Sequence, residues 1–157
     1  MYRKMQIVLM FLFVFTATAW AQQDPWLGTW KLNIAKSKYD PGPPPRTPTT
    51  IKREAASGGA VKTTTDGINA QGSPTHTEST ANYDGKDYPV KGSLSWDTSA
   101  LKRIDAKTRV IINKKGGSVV RISRQTLSPD GKLITAVSVG INPQGQAYHD
   151  MVAYDKQ

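Results

Sequence analysis

Cysteine is absent from all 157 residues, and that single absence removes disulfides, thiol nucleophiles, thiolate metal sites and a lipid-anchor cysteine together. Such a chain depends for stability on its core and on closure of its sheet. Histidine is nearly as scarce. His76 and His149 stand in distant segments, and the one near partner is Glu78, two residues after His76. Solvated polar strands account for these residues without a metal ion. Gly-x-Ser-x-Gly, His-Glu-x-x-His and a glycine-rich phosphate loop leading into a helix are all missing. His149 and Asp150 are adjacent, but neighbours on a strand point to opposite faces. The pair is therefore no dyad by itself. No cofactor is implied, and no motif announces catalysis.

Long apolar runs are missing too, with one exception at the start. Arg3 and Lys4 form a basic region, Ile7 to Phe15 an apolar one, and Ala19-Trp20-Ala21 a small-x-small site. The pattern predicts a secretory signal peptide over residues 1–21, too short to span a bilayer as an anchor. The expected product is an exported protein, periplasmic or extracellular, soluble and without a membrane span, with residues 22–157 as one domain. Acid is the scarcer charge. Taking Arg3 and Lys4 from 21 basic residues leaves 19 against 12 acidic ones, a formal charge of +7. The surplus is dispersed, which fits solubility and weak attraction to anionic surfaces better than a nucleic-acid site.

What the chain does contain is β chemistry. From Thr47 onward, short runs rich in Thr, Val, Ile and Tyr alternate with turn signals such as Ser57-Gly58-Gly59, Asp66-Gly67, Asp84-Gly85, Gly116-Gly117, Asp130-Gly131 and Asn142-Pro143-Gln144-Gly145. Asp-Gly and Gly-Gly supply the positive φ that tight hairpins need. Strands are expected near 26–34, 49–56, 60–66, 75–83, 87–91, 99–104, 108–113, 118–127, 132–141 and 146–155. About ten short antiparallel strands in so small a chain predict an all-β, up-and-down barrel, since closure abolishes the sheet edges. Pro41-Gly42-Pro43-Pro44-Pro45 forbids a helix between the first two strands, so that interval is an extended crossing or a surface loop.

Alternation suggests faces. Val120, Ile122 and Arg124 share one side of their strand, and Leu133, Thr135, Val137 and Val139 share one side of the next. Both sides are mainly apolar and are expected to face inward. The last strand is ambiguous between Tyr148, Asp150, Val152, Tyr154 and their neighbours. Trp30 is expected in the core. Trp96, in Gly92-Ser93-Leu94-Ser95-Trp96-Asp97, is placed in a loop at the barrel rim, where it could touch a ligand or pack locally.

Leu27-Gly28-Thr29-Trp30-Lys31-Leu32 resembles the opening of the fatty-acid-binding proteins. Ile122-Ser123-Arg124, Asp130-Gly131-Lys132-Leu133 and Tyr154-Asp155-Lys156 resemble their C-terminal end. Over nearly all of residues 22–157 the chain is also similar to small secreted bacterial lipocalin-like proteins of the calycin group. The shared marks are Gly28-Thr29-Trp30-Lys31-Leu32-Asn33, Lys36-Ser37-Lys38-Tyr39, a Pro-Gly-Pro loop and Tyr83-Asp84-Gly85-Lys86-x-Tyr88-Pro89. The first resemblance implies a ligand carboxylate held by interior arginines and a tyrosine, which falls on Arg124 and Tyr154. It also implies a second arginine where this chain has Val152, and a helical lid where it has the proline loop.

The leading reading is a barrel that binds a small apolar or amphipathic molecule, with an acidic head group at Arg124 and Tyr154, Trp96 at the rim, and Gly28 and Trp30 as structural marks. Arg124 has a second role open to it, as a cation–π plug over Trp30. Two other classes stand beside binding: a filled barrel acting as an envelope or surface interaction module, and a cryptic enzyme on a small substrate. Open or filled interior space separates the first two. The sequence leaves oligomeric state open.

Overall fold

The computed structural model describes residues 24–157; the expected signal peptide lies outside them. Ten strands follow one another: β1 (Gly28–Lys38), β2 (Thr50–Ala55), β3 (Val61–Ile68), β4 (Pro74–Ala81), β5 (Asp84–Lys91), β6 (Thr98–Asp105), β7 (Thr108–Lys115), β8 (Ser118–Leu127), β9 (Leu133–Ile141) and β10 (Ala147–Lys156). Each pairs antiparallel with the next, and β10 returns to β1, so the sheet is a closed up-and-down barrel. The only helical element among the described residues is a short 3-10 turn at Ser57–Gly59.

Turn chemistry sets most of the boundaries, with two displacements; Asp84-Gly85 lies at the start of β5, not in a turn before it. Asp66-Gly67 does not turn the chain, because β3 continues to Ile68. The turn falls at Asn69, whose side-chain oxygen accepts the backbone N–H groups of Gln71 and Ser73 at 3.1 and 2.9 Å. That Asx geometry organises the reversal where Asp-Gly was expected to.

One end of the barrel is closed by apolar packing. Trp26, Trp30, Ile51, Leu127 and Ile134 form one buried cluster, and Leu32, Ala136 and Val152 a second above it, with Tyr154 against both. The Trp30 indole donates to the Trp26 carbonyl at 3.1 Å, and the Trp26 indole to the Ala106 carbonyl at 3.3 Å. Both rings are thus fully buried with their polar edges satisfied. Gly28 has a φ of +111°, and a Cβ there would lie 3.2 Å from Lys156 Cε. Its missing side chain lets Lys156 reach across, placing Nζ 5.1 Å from the Trp30 ring centroid.

The faces of β8 and β9 are the reverse of the expected ones. Ile122, Arg124, Val137 and Val139 are exposed, whereas Ser123, Gln125, Leu127, Ile134, Ala136 and Ser138 are buried. Register fixes this. Trp30 pairs across β1 and β10 in step with Leu32 opposite Tyr154, and Tyr154, Val152 and Asp150 lie opposite Ile134, Ala136 and Ser138. With a side-chain period of two, the indole of β1 carries that parity around the barrel and sets Arg124 outside. On β10 the inward set is Tyr148, Asp150, Val152 and Tyr154.

Opposite the apolar clusters the sheet is thinner. Strands β4 and β5 share only Glu78 with Lys91 and Ser79 with Val90. At the end away from the tryptophans, the proline segment takes the lid's place in the chain. Asp40 donates its N–H to Asp150 Oδ1 at 3.2 Å and accepts from His149 N–H at 2.7 Å, while Arg46 Nε donates to the Ala70 carbonyl at 3.0 Å. The segment therefore links β10 to the β3–β4 turn, and half-buried Tyr39 packs beneath it against the Leu32 cluster.

Two substitutions test this register by urea unfolding. Trp30→Ala is expected to cost about 3–5 kcal/mol. Ile122→Ala should stay within about 1 kcal/mol, as befits an exposed strand position; a larger loss than that would place Ile122 inside.

Candidate functional site

The inward face is half polar. From β2 to β5 one level of it reads Arg53, Thr63, Ser79 and Val90, and the next Ile51, Thr65 and Thr77. From β6 to β10 it holds Ser99, Asn113, Arg121, Ser123, Ser138 and Asp150. Short hydroxyl side chains fill less of a barrel than Leu or Phe would, and they line the inside with donors and acceptors.

Four guanidinium groups stand among them; Arg103, on β6, pairs with Asp24 and lies 4.1 Å from the Tyr83 ring centroid. Arg109, on β7, is fully enclosed and well served: Nε and Nη2 donate to Gln125 Oε1 at 3.0 and 2.7 Å, Nη1 to the Tyr83 hydroxyl at 3.3 Å, and the group lies 4.2 Å from the Trp26 ring centroid. Arg121, on β8, donates to Ser138 Oγ at 3.1 Å, which passes the bond to Ser123 Oγ at 2.9 Å. Its other face lies 5.7 Å from the Trp96 ring centroid.

Arg53 is different. Only 3% of it is exposed, Nη1 has no hydrogen-bond partner, and the Trp30 ring centroid lies 6.0 Å away, with Arg109, Tyr154, Tyr83 and Asp24 near enough to act on its charge. No carboxylate pairs with it among the described residues. Burial, reinforced by the nearby Arg109, pushes its pKa well below the ordinary arginine value. A guanidinium does not release its proton in a protein, so the shift expresses the free-energy cost of an enclosed, unpaired cation.

Tyr154 lies in the field of both Arg53 and Arg121. Burial raises its phenol pKa, and the two cations partly counteract that; the hydroxyl stays protonated and free to donate near neutral pH. Tyr154 is partly accessible and packs against both apolar clusters. The inward acid of the middle and mouth is Asp150, whose pKa is raised by burial.

At the mouth, Trp96, Arg121 and Tyr148 line a cleft of about 100 Å³ together with Val120, Ile141 and Pro143. Gly140 makes room for this arrangement. A Cβ there would lie 2.7 Å from the Tyr148 hydroxyl and 2.4 Å from the Val120 carbonyl.

The expected site residues are thus divided. Tyr154 is inside and Trp96 at the rim. Arg124 is outside, exposed, and neither reaches Tyr154's side of the sheet nor covers Trp30; the cations beside Trp30 are Arg53 and Lys156. Arg124 was assigned inward because its strand neighbours are apolar, and here apolar residues face out. Arg53 was missed, although it shares a face with Ile51 between the outward Lys52 and Glu54. His149 is exposed while Asp150 points inward, and His76 pairs with Asp66 at 2.6 Å on the outer surface. Among the described residues no three metal-binding side chains converge. No protein-family model matches the chain, and no curated protein matches it.

Because Arg53 lacks a partner, Arg53→Met is expected to stabilise the ligand-free protein, by about 1–2 kcal/mol in chemical denaturation. A loss of stability of that size would make Arg53 a structural cation instead.

Proposed function

We propose that the barrel binds a small anionic amphipath, its acid group drawn in past Arg121 at the mouth and held inside by Arg53 with a hydrogen bond from Tyr154. The observation that carries this reading is the unpartnered Arg53. A buried cation without a counter-ion is costly to keep, and a ligand carboxylate supplies the missing partner in a charge-assisted pair. Interior charge agrees: Arg53 and Arg109 are enclosed, Arg103 and Arg121 are partly buried on the same face, and the acids set against these four are Asp24, which pairs with Arg103, and Asp150.

The lining also narrows the ligand. Serine and threonine hydroxyls at mid-height offer little to a purely apolar molecule. The mouth cleft is about a third of the volume usual for a drug-sized molecule. A short acid therefore fits better than a long neutral lipid, with Trp96 covering its outer end.

Calorimetric titration with octanoate and with octanol tests the reading. Octanoate should bind and octanol should not, and Arg53→Met should weaken octanoate by roughly tenfold or more. Equal binding of the two, or of octanoate to both proteins, would sink the proposal. Asp150→Asn removes the like charge and should tighten octanoate by about 1 kcal/mol, roughly fivefold. Tightening has the opposite sign to what general damage to the barrel would produce.

A further inference from the structure

The outside of the barrel is two-sided. Over β2–β4 it is charged and internally paired: Lys52 with Glu54 at 2.8 Å, Lys62 with Glu78 at 3.3 Å, and His76 with Asp66 at 2.6 Å. Over β7–β10 it is apolar. One cross-strand row is Ile112, Ile122, Val139 and His149; the row toward the closed end is Val110, Arg124, Val137 and Met151; toward the mouth Val119 and Ile141 continue it. Ile122, Val139 and Ile141 are 43%, 48% and 55% exposed, an unusual concentration of β-branched side chains in water. At strand spacings the face measures roughly 20 Å by 20 Å, or about 400 Å².

Charge identifies what fits there. The basic groups on and beside these rows are Arg124, Lys102 and Lys38, which continue the Arg124 row onto β6 and β1, and Lys114, which is paired with Asp87 at 2.7 Å. Arg124 and Lys102 make no ion pair among the described residues, and the rows contain no acid. Of the acids beside these rows, Asp84 stands opposite Lys102 on β5, Asp150 on β10 points inward, and Asp105 ends β6, where the Lys107 backbone N–H and, more weakly, Arg124 favour its ionised form. A second copy would bring Arg124 and Lys102 against their own kind, and 400 Å² is about half of what each partner buries in a stable protein interface. An anionic bilayer surface meets both features, since apolar side chains enter the headgroup boundary while the cations stay at the lipid phosphates.

We infer that the β7–β10 face docks the barrel on an anionic lipid surface, with Ile122, Val139 and Ile141 inserted and Arg124 and Lys102 on the headgroups. This is independent of what the interior holds. It also explains why the apolar half of β8 and β9 is turned outward while Arg121, Ser123, Gln125 and Ser138 are turned in.

The test is co-sedimentation of the closed barrel, residues 22–157, with phosphatidylcholine vesicles containing or lacking phosphatidylglycerol. Binding is expected with phosphatidylglycerol only, and it should weaken as salt is added. Arg124→Gln should lower the partition coefficient about fivefold and Val139→Asp by roughly tenfold or more. Thr80→Asp, on the charged side, should lower it much less. Circular dichroism confirms folding of each variant, and Arg124→Gln carries the test if Val139→Asp does not fold. Failure of the parent barrel to bind anionic vesicles overturns the inference. So does binding unchanged by Arg124→Gln, or a dimer in light scattering that Val139→Asp converts to monomers.

Discussion

Two arginines laid against two tryptophans govern the closed end of this barrel. Trp26 and Trp30 are locked to each other and to the β6–β7 turn by indole hydrogen bonds, and Arg109 and Arg53 lie beside their rings. Arg109 lies 4.2 Å from its ring centroid and Arg53 6.0 Å from its own, and their surroundings differ as well. Arg109 spends its donors on Gln125 and Tyr83, and its charge is dispersed over a satisfied network. Arg53 has the indole and little else. A chain without disulfides has no covalent reserve to offset an enclosed unpaired cation, so its retention points to use outside the apo fold.

That same end explains how the barrel can leave so much of its middle polar. Five large apolar side chains close the floor, and a second cluster of Leu32, Ala136 and Val152 holds β1, β9 and β10 together. With the floor packed, the upper levels need not be filled. Arg121, Ser123, Ser138 and Asn113 can hydrogen-bond across them. The apolar residues that would otherwise have occupied those positions stand on the outside, where they contribute little to folding. Polar inside and apolar outside are two sides of one alternation along β8 and β9, and neither side serves the isolated fold.

The strand count was legible because turns are local. Asn-Pro-x-Gly, Pro-Asp-Gly and Gly-Gly specify backbone conformations without reference to the rest of the chain, and ten strands were placed near their observed limits, although Asp66-Gly67 and Asp84-Gly85 lie inside β3 and β5. Facing was not legible on β8 and β9, because the inference from apolar to inward presumes that the core is the apolar sink. Ile122 and Val139 break that presumption. A better signal was present in the indole of β1: Trp30 must be inside, and parity carried through the pairing sets Tyr154, Ile134, Leu127 and Gln125 inward. Using it requires the register, and the register is set by closure, which no single strand reveals. Arg53 could have been read from its alternation with Lys52 and Glu54, but an arginine opposite threonines looks like surface until the barrel is closed around it.

Arg121 and Arg53 are placed at different depths, and dielectric makes them unequal. Arg121 lies at the mouth beside Trp96, near water, where a charge acts at long range but weakly; Arg53 lies by Trp30, where the same charge acts through protein and more strongly. Under the proposed binding, an acid group would meet first a screened cation and then an enclosed one. Asp150 opposes this at the mouth, yet its carboxylate also receives the Asp40 N–H and so anchors the proline segment. The acid that weakens the interior field is thus the one that ties down the strap across the entrance. Removing it trades a fastening of that strap for a deeper positive potential within.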